Sequence, residues 1–253
     1  MSASSKDDTF KSAIASIPSQ GSPWLESARE LANIGPAWMR ALRTTASAAF
    51  ASTGLPTVAA EGWQYTNLRP LIAMSPQYTA DPACFDVAKI PANLLRDSGR
   101  IVIVNGQYQP HMSIVPPGVS VFGLLQAAEN DADNLEHHLV NVGDFYSNPL
   151  QALNTTYLRD GMALYVEEKA IVEQPVEVIF YTTDEGKAVA PVVYPRVFYN
   201  VGNGAQITII ERHVGGGVYA ANSQIDIALK ADSLCKFYRF MQESPEAFHY
   251  SLT

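Results

Sequence analysis

The pattern of apolar and polar positions divides the chain into a helical first part and a strand-rich second part. Near the start, apolar residues recur three or four positions apart, the spacing that buries one face of a helix. This spacing predicts a helix over residues 24–32, for which Ser22 supplies a cap and Pro23 a first helical position. A second helix is predicted over residues 37–52, and Gly54 is placed to end it.

The middle of the chain combines helical and strand signals. Residues 100–105 form a short apolar run that predicts a strand, and Asn105-Gly106 is a hairpin-type turn signal directly after it. Two short helices are predicted over residues 121–129 and 134–140. The sequence therefore places at least one hairpin within a mostly helical first part.

Trp63 and Tyr65 stand two positions apart between turn-forming residues. Aromatic side chains are most often buried because of their large apolar area, so this pair predicts a corner packed against the core. The functional alternative is an aromatic platform for a ligand.

From residue 148 onward the apolar period changes from helical to two, which is the period of a half-buried strand. Turn residues separate the apolar runs, as in Gly202-Asn203-Gly204. This change of pattern predicts an N-terminal helical or mixed domain over residues 1–147 and a β domain over residues 148–253. The predicted strands cover residues 162–166, 176–182, 196–201, 205–211, 224–230 and 234–241.

A weak internal repeat runs through these strands. One constant shift along the sequence, here called the repeat interval, lays Val201 on Leu229 and Ile207 on Cys235. Repeats made of short strands and turns indicate either a β-solenoid or a double-sheet jelly roll. A solenoid rung buries its apolar face only against neighbouring rungs, and the last rung needs a cap. Because residues 248–253 follow a predicted strand without a capping helix, the stack is expected to be incomplete at its C-terminal end.

Composition and charge exclude several classes of protein. The chain has 253 residues, of which 47% are hydrophobic, so it can bury a sizeable core. Its formal net charge of -8 disfavours nucleic-acid binding through a basic face. The Ser-rich, acidic residues 1–8 do not resemble a secretion signal, and no apolar run is long enough to span a membrane. These features predict a cytoplasmic protein without membrane or nucleic-acid partners.

The two cysteines give no iron–sulfur site by themselves. A cluster commonly needs about four thiolates, and Cys84 and Cys235 are far apart in the sequence. Cys235 falls on the inward-facing alternation of its strand, where a free cysteine usually behaves as a small hydrophobic residue. Cys84 is expected to be exposed, and nothing nearby lowers its pKa.

Two groups of polar residues are candidates for chemistry. Glu211, Arg212 and His213 stand together at a strand end and predict a surface salt-bridge group, with an iron site as the alternative. His137 and His138 are adjacent, so they cannot share a helix face as a metal-binding pair would, and we expect them to be solvated. No catalytic residue and no metal ligand is assigned, and cofactor-binding residues stay unknown.

Several segments carry a resemblance to a known family. These segments are GLPTVAAEGWQYTNL, NPLQALNTTYLRDGMALYV, EQPVEVIFYTT, PRVFYNVGNGAQITIIERHVG and NSQIDIALKADSLCKFYRFMQESPEAFHYS. The whole set is similar to the SufB/SufD family of iron–sulfur cluster assembly proteins, and the resemblance covers about residue 42 to the end. The first part is most similar to SufD, although Val58-Ala59-Ala60 and Gln64 replace charged residues common there.

The resemblance implies a mainly β fold in which a right-handed parallel β-helix follows a small helical domain. It also implies a non-enzymatic scaffold subunit of the SUF complex, which pairs with SufB and binds the ABC-type ATPase SufC. The resemblance further implies a transient Fe–S cluster and an association with reduced flavin for the full complex, whereas no cofactor is expected in this chain. The family's partner contacts and functional His and Cys positions match no residue here, so the chain is expected to be an N-terminal portion.

Two other functions stay open at this point. One is a β-helix enzyme acting on carbohydrate, which would need a secretion signal and a row of acidic or basic side chains along one face. The other is a β-solenoid or jelly-roll binding module without an assembly role. For either kind of solenoid an open last rung invites self-association, so a homodimer is a further expected partner.

Overall fold

Two β-sheets built mostly from parallel strands organise the molecule. The structure is a computed structural model, and it describes residues 23–74, 77–78, 85–130, 132–140, 144–159, 161–185 and 188–253. The expected mainly β fold is confirmed in these ranges. The strands are β1 (Gln77–Tyr78), β2 (Gly99–Val104), β3 (Gln107–Tyr108), β4 (Val119–Gly123), β5 (Gly161–Val166), β6 (Val176–Thr183), β7 (Pro191–Val193), β8 (Arg196–Val201), β9 (Gln206–Gly216), β10 (Ala220–Leu229), β11 (Leu234–Gln242) and β12 (Phe248–Leu252).

The helices are short, apart from one near the beginning of the described chain. The α-helices are α1 (Ala37–Thr53), α2 (Arg69–Met74), α3 (Leu124–Asn130), α4 (Ala132–Val140) and α5 (Pro149–Thr156). The 3-10 helices are Pro23–Leu25, Ser27–Leu31, Val87–Lys89 and Pro110–Met112.

Helix α1 confirms the longest helix predicted from the sequence. Gly54 has a φ of 66°, and its N–H donates to the carbonyl of Phe50 at 2.7 Å. The predicted helix over residues 24–32 is instead two 3-10 helices. The carbonyl of Trp24 accepts a hydrogen bond from the Tyr157 hydroxyl at 2.8 Å. The proposed cap Ser22 lies outside the described residues.

The helix predicted over residues 121–129 is only half right. Its first residues form β4, which pairs antiparallel with β5, and α3 begins only at Leu124. A short apolar run fits a buried strand as well as a helix, and here the neighbouring strand decides between the two. The hairpin signal at Asn105-Gly106 is confirmed, since β2 and β3 pair antiparallel around it.

From β5 onward, successive strands alternate between the two sheets, except that β7 and β8 both lie in the first sheet. The first sheet contains β1, β4, β5, β7, β8, β10 and β12, and the second sheet contains β2, β3, β6, β9 and β11. From β5 onward, each return to a sheet places the new strand parallel to the previous one. Jelly rolls are antiparallel architectures, so this pairing argues against that alternative.

The repeat interval is confirmed by strand register. Gln224 pairs with Arg196 in the first sheet and Leu234 pairs with Gln206 in the second, and both pairs are separated by the interval that the sequence repeat predicts. The same interval joins Phe248 to Ala220. One full circuit of the chain through both sheets therefore takes one repeat interval in this part of the molecule.

Strands from both sides of residue 147 share these sheets. Strand β2 pairs parallel with β6, and β4 pairs with β5. The division into domains at residues 1–147 and 148–253 stays a prediction. Nevertheless, strands from the first part of the chain pair with strands from the second part in both sheets.

The main core lies between the two sheets. Inward-facing residues of both sheets fill it, including Ile103, Val178, Ile209, Leu164 and Val197. A second group of buried side chains lies on the outer face of the second sheet, where Ile90 packs against β2 and β6.

At the start of β5, only glycine fits. Gly161 has a φ of 125°, and a Cβ atom there would lie 1.8 Å from the carbonyl oxygen of Arg196.

Candidate functional site

A buried polar network interrupts the apolar interior between the sheets. Glu211 follows Ile207 and Ile209 on the inward face of β9, and its side chain is fully buried. The Tyr199 hydroxyl donates to Glu211 Oε1 at 2.8 Å, and Arg239 Nε donates to Oε2 at 2.9 Å. The carboxylate therefore links β8 in one sheet to β9 and β11 in the other.

The surroundings of Glu211 favour its ionised form. Burial raises the pKa of this carboxyl, but the nearby His213, the charge of Arg239 and the hydrogen bond from Tyr199 together hold it below its ordinary value. Burial and the nearby carboxylate have the opposite consequence for Tyr199, whose pKa is raised well above its ordinary value. Tyr199 therefore stays a protonated donor to Glu211.

His213 extends the network towards the last strand. Its ring stacks on Phe180 with centroids 4.4 Å apart, and its Nε2 lies 3.5 Å from Glu211 Oε2. Burial lowers the pKa of His213, so the neutral imidazole is favoured near pH 7. The ring also meets the ring of His249 edge-on, with 4.7 Å between the centroids.

Glu243 completes the network. Its Oε2 lies 2.8 Å from His249 Nδ1, and its Oε1 accepts from the Tyr219 hydroxyl at 2.9 Å. Burial raises the pKa of Glu243, but the hydrogen bond and charge of His249 outweigh this and keep the pKa below its ordinary value. Because His249 lies in β12, this contact joins the last strand to the turn that precedes it.

The prediction of a surface salt-bridge group at Glu211, Arg212 and His213 is wrong about its location. All three side chains are buried. Strand alternation sends Glu211 and His213 into the interior, and it sends Arg212 to the outer face of the second sheet. There Arg212 donates to the carbonyl of Ala92 at 2.9 Å and lies 3.5 Å from the carboxylate of Glu177. No local signal in the sequence indicates that residues 85–98 cover this face.

The network cross-links strands of the two sheets. Within the described ranges, no group of three or more His, Cys, Asp or Glu side chains is arranged to hold a metal ion. Cys235 packs against the main core, and burial raises the pKa of its thiol, as expected for a small hydrophobic residue. Cys84 lies outside the described residues.

Two further expectations are corrected by the structure. Tyr65 is fully exposed and does not belong to a packed corner, whereas Trp63 packs against the core and stacks on Tyr250 at 5.8 Å. His138 is not simply solvated, because its ring lies 5.1 Å from the ring of Phe198 and burial lowers its pKa. Exposure of neighbouring residues can differ this much because turns and helices present consecutive side chains in different directions.

Sequence reasoning missed Arg239, Tyr219 and Glu243 as members of the network. The repeat contained a signal for the first of them, because the repeat interval lays Glu211 on Arg239. Opposite charges at equivalent positions of adjacent parallel strands predict an ion pair across the ladder. No comparable signal identifies Tyr219 and Glu243, which lie outside the register of that pair.

The last strand of the second sheet offers a candidate interaction surface. Strand β11 pairs with β9 on one side, and no other described strand pairs with its opposite edge. An unpaired edge exposes backbone N–H and C=O groups that can pair with another strand. The exposed apolar side chains on this strand are Leu234, Tyr238, Phe240 and Met241.

No described helix is long and apolar enough to cross a membrane.

Comparison with known proteins identifies relatives of the chain. A family model described as the SufBD protein N-terminal region matches residues 22–178, more than half of the sequence. A curated protein of Arabidopsis thaliana, "Protein ABCI7, chloroplastic", is 28% identical over 148 residues. That alignment covers 56% of this chain and 30% of the relative, so the chain matches less than a third of the relative's length.

Proposed function

The chain belongs to the SufB/SufD protein family, and from this premise we propose that it serves as a non-catalytic, SufD-like scaffold subunit in iron–sulfur cluster assembly. The observation that carries the proposal is the family match over residues 22–178. This range runs from the 3-10 helices through α5 and β5 into β6, so it includes both the helical part and the beginning of the parallel sheets.

We further propose that the two sheets are the walls of a right-handed parallel β-helix. The alternation of strands between the sheets, their parallel pairing and the constant repeat interval all support this architecture. In such a helix each rung is stabilised mainly by its neighbours, and a scaffold gains a long surface with a fixed spacing between rungs.

The proposed partners are a SufB-type subunit and a SufC-type ABC ATPase. The exposed apolar side chains of β11, among them Tyr238 and Phe240, support contact with another protein. The Fe–S cluster is then a transient cargo of the assembled complex. The carboxylate of Glu211 is occupied by Tyr199 and Arg239, so the proposal assigns no cofactor to this chain, and it places the complex in the cytoplasm.

The test is affinity purification from cells that produce the protein from its own gene. A tag placed before Met1 leaves everything downstream as the cell makes it. We expect a SufB-type subunit and a SufC-type ATPase to co-purify in stoichiometric amounts. If neither is retained under conditions in which the tagged protein is folded, the assembly proposal is wrong.

Variants of β11 test the proposed contact surface. The double variant Tyr238→Lys/Phe240→Lys places charge on two exposed apolar positions and should weaken partner recovery while the protein stays folded. Lys236→Ser is the matched control, because Lys236 is exposed on the same strand. Equal recovery with both variants would remove β11 from the proposed interface and leave the family-based proposal standing.

A further inference from the structure

A groove runs alongside α1, far in sequence from the buried network. It lies between α1 and the two 3-10 helices that precede it, and its volume is about 610 Å³. Sites for small organic ligands commonly have volumes of roughly 300–1,000 Å³. The charged and small side chains that line the groove include Glu26, Arg29, Arg40, Arg43, Ala48 and Ala51.

Arg43 is a buried cation in the wall of this groove. Its side chain donates to the carbonyls of Ile34 and Leu158, and its Nε atom is buried without a hydrogen-bond partner. No carboxylate forms an ion pair with Arg43 among the residues that the structure describes. A buried charge is costly unless an opposite charge compensates it, so this guanidinium favours a nearby anion.

Arg43 is not the only guanidinium group in the wall of this groove. Burial lowers the pKa of Arg43, and the positive charge of Arg40, one helical turn away, lowers it further. Arg29 contributes a third guanidinium, and Glu26 is the single acidic residue among the described residues that line the groove. Guanidinium groups are suited to phosphate and carboxylate because their N–H donors match the oxygen atoms of these groups.

The N-terminal end of α1 does not offset this positive charge. The first turn of the helix carries no acidic residue, and the capping residue Pro36 provides no side-chain hydrogen bond. The helix dipole therefore adds positive potential at the end of the groove where Arg40 lies.

The other end of the groove is shaped for an uncharged group. Thr44, Ser47, Ala48 and Ala51 lie at helical spacing along α1, and their small side chains leave the space open. From Arg40 to Ala51 the helix rises roughly 16 Å at 1.5 Å per residue. The groove thus has a cationic end and an apolar end about the length of a small organic molecule apart.

We propose that this groove binds a small organic anion, with a phosphate or carboxylate group near Arg29, Arg40 and Arg43 and an apolar body over Ala48 and Ala51. The site is independent of the proposed scaffold role, because it requires no protein partner and lies on a different part of the molecule. Its failure and the failure of the assembly proposal are therefore separate results.

The test is calorimetric titration of the purified chain at low ionic strength, where surface screening is weak. Pyrophosphate tests whether the charged end binds a phosphate group, and citrate tests whether it binds a carboxylate. Adenosine diphosphate tests whether an organic body attached to the phosphate groups increases the affinity. We expect saturable binding at one site by at least one probe, with tighter binding of adenosine diphosphate than of pyrophosphate if phosphate is the preferred group. Absence of saturable binding by all three would overturn the proposal.

Three variants locate the site. The double variant Arg29→Gln/Arg40→Gln should lower affinity for the bound probe by about tenfold or more, since it removes two charged donors. Ala48→Leu fills the apolar end and should weaken adenosine diphosphate while leaving pyrophosphate unchanged. Arg96→Gln is the control, because Arg96 is exposed outside the groove. An equal loss with Arg96→Gln would show non-specific attraction and contradict the proposal.

Discussion

Two buried carboxylates on neighbouring strands of the second sheet face opposite sides of it. Glu211 in β9 points between the sheets, and Glu177 in β6 points outward beneath residues 91–99. Both side chains are fully buried. The two sites show how one sheet uses the same residue type to fasten different parts of the chain.

The outer carboxylate is held mainly by a loop. Glu177 accepts hydrogen bonds from the backbone N–H groups of Leu94 and Leu95 at 2.8 Å each, and from the Ser98 hydroxyl at 2.9 Å. Arg212 stands further away at 3.5 Å, with its side chain only 6% exposed. Glu177 therefore attaches the loop to the sheet, and its negative charge also compensates the buried positive charge of Arg212.

The inner carboxylate is held by side chains of other strands. Tyr199 and Arg239 supply its hydrogen bonds, and the Arg239 side chain is 23% exposed. Arg239 can therefore regain hydration if its partner is removed, whereas Arg212 cannot. The contribution of a buried ion pair to stability thus depends on what the surviving partner can do.

The largest expected effect is that of Glu177→Gln. The substitution leaves Arg212 buried without a compensating charge and places an amide against backbone donors. We expect a loss of about 3–5 kcal/mol in the free energy of unfolding, measured by chemical denaturation. Glu173→Gln, at an exposed position, is the control. A loss of unfolding free energy smaller than that of Glu211→Gln would contradict this ranking of the two carboxylates.

A smaller loss is expected for Glu211→Gln, which keeps the volume of the side chain. Arg239 can turn towards solvent, so we expect about 1.5–3 kcal/mol, the range for hydrogen bonds to charged groups. A double-mutant cycle with Arg239→Gln isolates the coupling between the two residues. If the coupling free energy between Glu211 and Arg239 equalled that between Glu177 and Arg212, the greater solvent exposure of Arg239 would not explain the difference between the two sites.

Next in size is Tyr199→Phe, which removes one donor to Glu211 and leaves the ion pair with Arg239. We expect a loss of about 1–1.5 kcal/mol in the free energy of unfolding. Tyr194→Phe is a matched control, because the Tyr194 hydroxyl is buried without a hydrogen-bond partner and its removal should be neutral or stabilising. Equal losses in the two variants would mean that the contact with Glu211 adds nothing.

The smallest effect is a dependence of stability on pH. His213 has a folded-state pKa below its ordinary value of about 6.5, so the unfolded chain binds more protons below that pH and stability falls on acidification. Glu211 and Glu243, whose pKa values are also lowered in the folded state, add a second loss as the pH falls below about 4.3. Unfolding followed from pH 8 to pH 3 should show both losses. His213→Gln should remove the first and reduce the second, because His213 helps to lower the pKa of Glu211. An unchanged profile in that variant would assign the first loss to another group.

Much of the strand architecture could be predicted because its signals are local. Alternation located β6, β8 and β11 to within a residue or two, and the repeat interval predicted the register of the last strands. Helix α1 followed from apolar spacing and from Gly54. Short segments such as β1 and β7 were missed because a strand of two or three residues has no measurable period.

The polar sites could be predicted only in part, because their burial is decided by distant segments. Nothing near Arg212 indicates that Ala92 and its neighbours cover it. Similarly, the groove beside α1 depends on how the first 3-10 helices pack, which apolar spacing does not specify. The pair of Glu211 and Arg239 is the exception, since the repeat itself brings the two positions together.

The fixed interval between rungs restricts how this part of the gene can change in length. Inserting or deleting a single residue inside β9 would turn Glu211 and His213 outward and Arg212 inward, because side chains alternate along a strand. Insertions in the turns, by contrast, leave the alternation intact. Related genes should therefore differ in length either at the turns or by whole repeat intervals. Insertion of a whole repeat interval adds a complete rung whose strands pair in the same register as those of its neighbours.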